Sequence, residues 1–191
     1  NIIAQILIES QAAPLKKALI DAEIGEDIFS MNVGGLQPGF GIVAKNTTTD
    51  KKEEFQKVIF NTLQKLVDDG LDKKLIEASI NIVEYDLREA SKFPTKGIIY
   101  NILSLDSWLY DGSPISHLKY DDTIKKLRDN IDTDYFEKYI SDKFINNSHS
   151  SLVIIEPKKG LGEEKDKIVI DKLAKYKESL SDEQIEELID K

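Results

Sequence analysis

Few side chains in this sequence are suited to chemistry, and their types and spacing restrict what they can do. There is no cysteine, so a thiolate metal site, a thiol nucleophile and a disulfide are all excluded. The two histidines, His117 and His149, lie far apart in the chain. Zinc catalysis usually takes three protein ligands, often with two histidines on one helical turn, and this chain cannot supply that pair. His117 stands in Ser-Pro-Ile-Ser-His-Leu-Lys-Tyr-Asp-Asp. With Asp121 and Asp122 it has the parts of a metal site or an acid–base pair. The two aspartates read more simply as helix caps, and the imidazole as a solvated loop side chain. His149 has hydroxyls beside it in Asn-Asn-Ser-His-Ser-Ser. Neighbours in sequence do not make a triad, and no nucleophile-elbow pattern is present.

Gly34-Gly35-x-x-x-Gly39 follows a strand pattern. A phosphate cradle needs a helix opening after the glycines and a Lys-Ser/Thr pair; neither is there, so a hairpin turn is the better reading. Tyr100, Trp108 and Tyr110 fall near the end of one helix, as a stacking platform or, more simply, a core or interface group. The acidic pairs Glu53-Glu54, Asp68-Asp69 and Glu163-Glu164 read as solvated helix ends and faces. No catalytic, cofactor-binding or metal-binding residue is assigned.

The chain has 191 residues, 26 basic and 35 acidic, for a net charge of −9. That balance disfavours nucleic-acid binding and a polybasic membrane surface. The hydrophobic share of 40% supports a real core, and at this length roughly 70% of the unfolded chain's surface can be buried. No apolar run reaches the ~18 residues of a membrane span. A start at Asn1 without a signal-type leader suggests a piece of a longer protein, and the missing cysteine fits a reducing, cytoplasmic location.

The elements around these residues alternate in period. Residues 1–24 predict two helices, with Pro14 in the first turn of the second and Gly25 as its stop. Residues 27–47 alternate apolar and polar side chains around a Gly/Pro turn, an antiparallel hairpin with a bulge or close backbone approach at its glycines. Asp50 and Glu53 suggest a capping box before an amphipathic helix to about Asp69. Gly70 ends it and Asp72 caps the next. A break at Ser91–Pro94 precedes a helix over 95–110 with Ile98, Ile99, Ile102, Leu105 and Leu109 inward. Asp121 or Asp122, then Asp132 or Thr133, cap two shorter helices, and Asn146 and Asn147 close the second. Leu152–Ile155 reads as a strand ended by Pro157. Residues 158–191 turn charged and helical, with Ser181 and Gln184 as a capping box. The domain boundary is placed at 157/158, and the fold class is α+β: an antiparallel sheet packed against helices, followed by a helical linker.

Several ordered segments resemble one family. Ser10-Gln-Ala-Ala-Pro-Leu-Lys-Lys-Ala-Leu-Ile-Asp21 resembles the helix-turn-helix of pitrilysin-type (insulinase-like) zinc metallopeptidases, and Gly34-Gly-Leu-Gln-Pro-Gly-Phe-Gly-Ile42 the hairpin that follows it. Residues 75–89 and Ser107-Trp-Leu-Tyr-Asp-Gly-Ser-Pro114 are similar to the presequence protease subfamily, residues 150–157 to its closing strand, and the tail to the start of its interdomain helical hairpin. The resemblance implies one of four homologous α+β domains, of the mitochondrial-processing-peptidase kind, that close around a chamber. The family's zinc motif, His-x-x-Glu-His, is absent from this sequence. The chain therefore resembles the second, non-catalytic domain, with zinc held in the parent's first domain and none here. The implied partners are the other domains of the same polypeptide and peptide substrates. The resemblance also implies further strands before Asn1, hence an exposed sheet edge able to dimerise. The alternative is a structural core-type homologue with no proteolytic role.

Overall fold

The computed structural model describes residues 1–89 and 95–189; the expected break at residues 91–94 lies outside them. The chain divides into two units, Asn1–Ser150 and Ser151–Lys191. In the first, helix α1 (Ile2–Ala4) runs directly into a π-helical turn, Gln5–Glu9. Ile6, Leu7 and Ile8 are all fully buried, which marks a helix surrounded by core rather than a surface helix with one apolar stripe. Helix α2 (Pro14–Asp21) opens on proline, where a missing N–H costs nothing.

The stop of α2 corrects the sequence reading. Glu23, not Gly25, takes the left-handed conformation there, at φ 55°. Its N–H donates to Ile20 O at 2.9 Å, and Ile24 N–H donates to Leu19 O at 3.0 Å. These are the two bonds of a Schellman motif, and Ile24 and Leu19 are both fully buried, supplying its usual hydrophobic contact. Gly25 instead lets two backbone segments come together, since a Cβ there would lie 2.8 Å from the Lys45 carbonyl oxygen. The close backbone approach expected at Gly34 and Gly35 is thus found at Gly25.

Strands β1 (Asp27–Val33) and β2 (Gly39–Lys45) form a two-stranded antiparallel sheet, with Ile28 opposite Ala44, Ser30 opposite Ile42 and Asn32 opposite Phe40. Glu26 N–H also donates to Lys45 O, at 2.9 Å, so a bulge opens the hairpin on the side of Gly25. Gly34 and Gly35 lie beyond β1, in the connecting loop.

Helix α3 (Lys52–Asp69) packs on α2, and α4 (Lys73–Glu89) on α1. The start of α3 differs from expectation. A 3-10 turn, Thr49–Lys51, leads in and Lys51 occupies the cap position, so Asp50 is inside the turn rather than capping the helix. Gly70, at φ 85°, ends α3, and the Asp72 carboxylate accepts from Lys74 N–H at 2.9 Å, as expected of a cap. The apolar stripes place Ile59, Leu63, Ile76, Ile80 and Val83 in the core.

Helix α5 (Lys96–Trp108) buries no residue. Its expected inward stripe is instead exposed, with Ile98, Ile102, Leu105 and Leu109 open to solvent. A correct helical period names one face; it does not guarantee that a partner lies against it. Helix α6 (Asp121–Asp129) packs on α4, and α7 (Tyr135–Ile140) on α3. Tyr120 holds the cap position of α6, so Asp121 and Asp122 are in its first turn, where they oppose the positive helix end without capping it. The Thr133 hydroxyl accepts from Tyr135 N–H at 3.2 Å. A second π-helical turn, Ser141–Ile145, continues α7 to its end at Asn146.

Helices α4 and α6 are joined by ions as well as by packing. The Arg128 guanidinium donates to the Glu84 carboxylate and, at 2.7 Å, to Asn81 Oδ1, while Arg88 reaches Glu84 at 2.9 Å. The hydrogen bond from Arg128 holds the Glu84 carboxyl below the ordinary carboxylate range. A depressed folded-state pKa means stability that is present above the unfolded value and is lost as pH falls through the folded one. Glu84→Gln is therefore expected to flatten the acid side of the stability profile. The check is the urea midpoint of wild type and variant between pH 7 and pH 3; equal slopes below pH 5 would refute it.

The second unit holds α8 (Leu161–Glu178) and α9 (Asp182–Ile189). Gln184 N–H donates to Ser181 Oγ at 3.3 Å, and Ser181 N–H to Gln184 Oε1 at 3.0 Å, the capping box read from the sequence. The expected strand at Leu152–Ile155 is not formed. Val153 and Ile155 are exposed there, and β-branched residues make a strand only when a neighbour supplies the ladder.

Candidate functional site

The residues singled out for chemistry do not converge. His117 is exposed in the 3-10 turn Ser116–Leu118. His149 is exposed too, and its backbone N–H donates to Asn147 Oδ1 at 2.8 Å. Among the described residues, no group of three His, Asp or Glu side chains is placed to hold a metal ion. Two open clefts, of about 390 and 360 Å³, are lined by groups such as Glu23, Glu26 and Lys51 in one and Asp134, Tyr135 and Lys138 in the other. Neither pairs a nucleophile with a base.

What the fold builds instead is a surface. Side chains of one strand alternate between faces, and the register assigns each to its side. Ile28, Ser30, Ile42, Phe40 and Ala44 lie on the face toward the helices, where Ile28 is fully buried and Phe40 meets Phe144 edge-on, ring centroids 5.1 Å apart. Phe29, Met31, Val33 and Val43 lie on the other face. Met31 and Val33 are 50% exposed, although a strand face turned to water would normally be polar. Their partners across the sheet are Gly41 and Gly39. A Cβ at Gly41 would lie 3.3 Å from Met31 Cε, and one at Gly39 3.5 Å from Val33 Cβ. The glycines of β2 thus leave room for the β1 side chains to lie across the sheet, making a flat apolar face.

The loop at the hairpin's end meets α5. A Cβ at Gly34 would lie 3.6 Å from the Asp106 carboxylate, and one at Gly35 3.5 Å from the Tyr110 hydroxyl. Leu36, Trp108, Leu109 and Tyr110 are all exposed. Trp108 and Tyr110 are therefore not core, while Tyr100 is half-buried on the same helix.

Two acidic residues that sequence reasoning passed over fix this geometry. The Glu9 carboxylate, at the end of the first π-helical turn, accepts from Ser30 N–H at 2.9 Å and from Ser30 Oγ at 2.6 Å. The Glu137 Oε1 accepts from Leu71 N–H at 2.8 Å and so ties the α3–α4 connection to α7. The signal for Glu9 was its position: a carboxylate at a helix C-terminus opposes the macrodipole unless something else holds it.

No family model matches the chain. Individual relatives do. Over its full length it is 44% identical to Protein HypA of Clostridium perfringens. Over 96% of its length it is 32% identical to presequence protease 1, chloroplastic/mitochondrial, of Arabidopsis thaliana. Over its full length it is 24% identical to the mitochondrial presequence protease of Danio rerio. The chain is a presequence-protease-type segment. It spans about a fifth of each relative's length, at 20%, 18% and 19%. The family resemblance read from residues 10–21, 34–42, 75–89 and 107–114 is thereby shown, and the helices with their two-stranded antiparallel sheet show the α+β class. None of the described helices of this presequence-protease-type segment is long and apolar enough to cross a membrane.

Proposed function

We propose that this segment is a non-catalytic wall domain of a zinc-dependent peptidase, and that it helps enclose unfolded peptides while the chemistry is done elsewhere in the parent polypeptide. The supporting observation is the hairpin: helices cover one face, and the other is left apolar and open at Met31 and Val33. A surface of that kind suits extended peptides with apolar side chains, and enclosure strengthens the electrostatics of a hydrolytic site by excluding water. Among the described residues no group of three His, Asp or Glu side chains is placed to hold a zinc ion, which fits a metal held elsewhere in the parent. Its partners on this reading are the remaining domains of the parent and the peptides they degrade. The cytoplasmic location is part of the proposal; the names of the plant and fish relatives assign those proteins to chloroplasts and mitochondria.

The test uses the full-length parent. Burying an apolar side chain of this size contributes about 1.5–3 kcal/mol, and ~1.4 kcal/mol is tenfold in binding. Met31→Glu combined with Val33→Glu should raise KM for an apolar oligopeptide by about tenfold or more, with kcat little changed. An unchanged KM in a stably folded variant would remove the wall reading. Hydrolysis of a test peptide by the isolated chain, lost on replacing His117 or His149, would remove the non-catalytic one. A parent that cleaves no peptide would favour the structural alternative.

A further inference from the structure

The hairpin is held from behind by two turns of the same uncommon kind. The first π-helical turn closes with Ser10 N–H donating to Gln5 O at 3.3 Å, and the second with Asn146 N–H donating to Ser141 O at 2.8 Å. Single π-helical turns are rare and occur frequently at functional sites. The extra residue in such a turn rotates whatever follows by about 100° around the helix axis. Each turn sends one side chain to the hairpin, and each to a different strand. Glu9, the last residue of the first turn, takes Ser30 of β1. Phe144, in the second, meets Phe40 of β2.

The two anchors are level with the open apolar face. Ser30 stands between Phe29 and Met31, and Phe40 stands between Gly39 and Gly41, which face Val33 and Met31 across the sheet. A single Glu9 oxygen, Oε1, accepts from both the amide and the hydroxyl of Ser30. The core does less to hold this half of the hairpin. Ile28, near the start of β1, is fully buried, whereas Ser30 and Phe40 are half-buried and Met31, Asn32 and Val33 are exposed. A two-stranded hairpin is marginal on its own and twists strongly, so the orientation of its outer half depends on what backs it.

We propose that Glu9 and Phe144 are positioning residues for the peptide face: the two π-helical turns fix the outer half of the hairpin, so that Met31 and Val33 present one set surface. A face held in place loses less conformational freedom on binding than one that swings. This rests on the wall reading and adds to it that affinity depends on two residues that touch no peptide.

The test uses the full-length parent and reads KM, kcat and the melting temperature. Glu9→Ala should raise KM for the apolar oligopeptide about tenfold, with kcat unchanged and the melting temperature within about 2 °C of wild type. Glu9→Gln keeps an acceptor oxygen in the same place and should return KM to within about threefold of wild type. Phe144→Leu keeps most of the volume, loses the edge-on ring contact and should raise KM by about threefold. An unchanged KM in Glu9→Ala, with Met31→Glu and Val33→Glu still raising it, overturns the positioning role and leaves the wall reading intact. An unchanged KM in all of these variants removes the wall reading and this inference with it. A rise that Glu9→Gln fails to reverse, or that comes with a lower kcat and an earlier melt, is general loss of structure and also overturns the positioning role. An unchanged KM in Phe144→Leu overturns the part given to the second turn.

Discussion

Phe136→Ala is expected to destabilise the first unit by about 3–5 kcal/mol, the usual range for emptying a buried aromatic site. Phe136 is 1% exposed and sits in the central cluster with Ile140, Leu63 and Ile124. Its ring meets Tyr135 edge-on, with centroids 5.4 Å apart. The next residue, Glu137, is tied to Leu71 N–H at 2.8 Å, which limits how far α7 can shift into the space. Native stabilities are typically ~5–15 kcal/mol, so this one change removes a large share. Each kcal/mol shifts the midpoint of a unit this size by roughly 2–4 °C, and the melting temperature should fall by roughly 6–20 °C. Phe136→Leu keeps most of the volume and should lose much less. Calorimetry of the three proteins decides it; a loss below about 1 kcal/mol for the alanine variant would show that the site is not packed as described.

Gly25→Ala is expected to cost about 1.5–3.5 kcal/mol, from two separate sources. The residue has φ 80°, a conformation that costs an L-residue with a side chain roughly 1–2 kcal/mol. The new Cβ would also lie 2.8 Å from Lys45 O and 3.3 Å from Ala44 Cβ. The Lys45 carbonyl cannot retreat freely, because it accepts from Glu26 N–H at 2.9 Å and so holds the bulge; disturbing this hydrogen bond between two exposed residues adds about 0.5–1.5 kcal/mol. Urea midpoints of wild type and variant decide it; a loss of no more than about 1 kcal/mol, the conformational cost alone, would mean that the close approach to Lys45 is not felt.

Where local chemistry decides an outcome, the residues announced it. Ser181 and Gln184 read as a capping box because each side chain reaches the other's backbone within one turn. Asp72 and Gly70 marked a helix start and stop for similarly short-range reasons, as did the stripes that bury Ile76, Ile80 and Ile59. The failures share a cause of the opposite kind. Asp121 and Asp122 have the composition of caps but stand one and two positions too late, because backbone geometry, and not residue type, picks the cap. Glu23 replaced the expected glycine stop because the buried Leu19–Ile24 contact outweighs the cost of a left-handed glutamate. Leu152–Ile155 has the composition of a strand and no ladder.

Sequence alone therefore determined the α+β class, the helical stripes, the lack of thiol chemistry and the resemblance to presequence proteases, since these depend on residue type, on spacing within a turn or two, and on ordered segments matched to a family. Tertiary structure decided that the stripe of α5 is exposed, that the outer hairpin face is apolar and open, and that Glu9 reaches across to Ser30. These depend on which distant segments come to lie against each other, and neither periodicity nor composition carries that information.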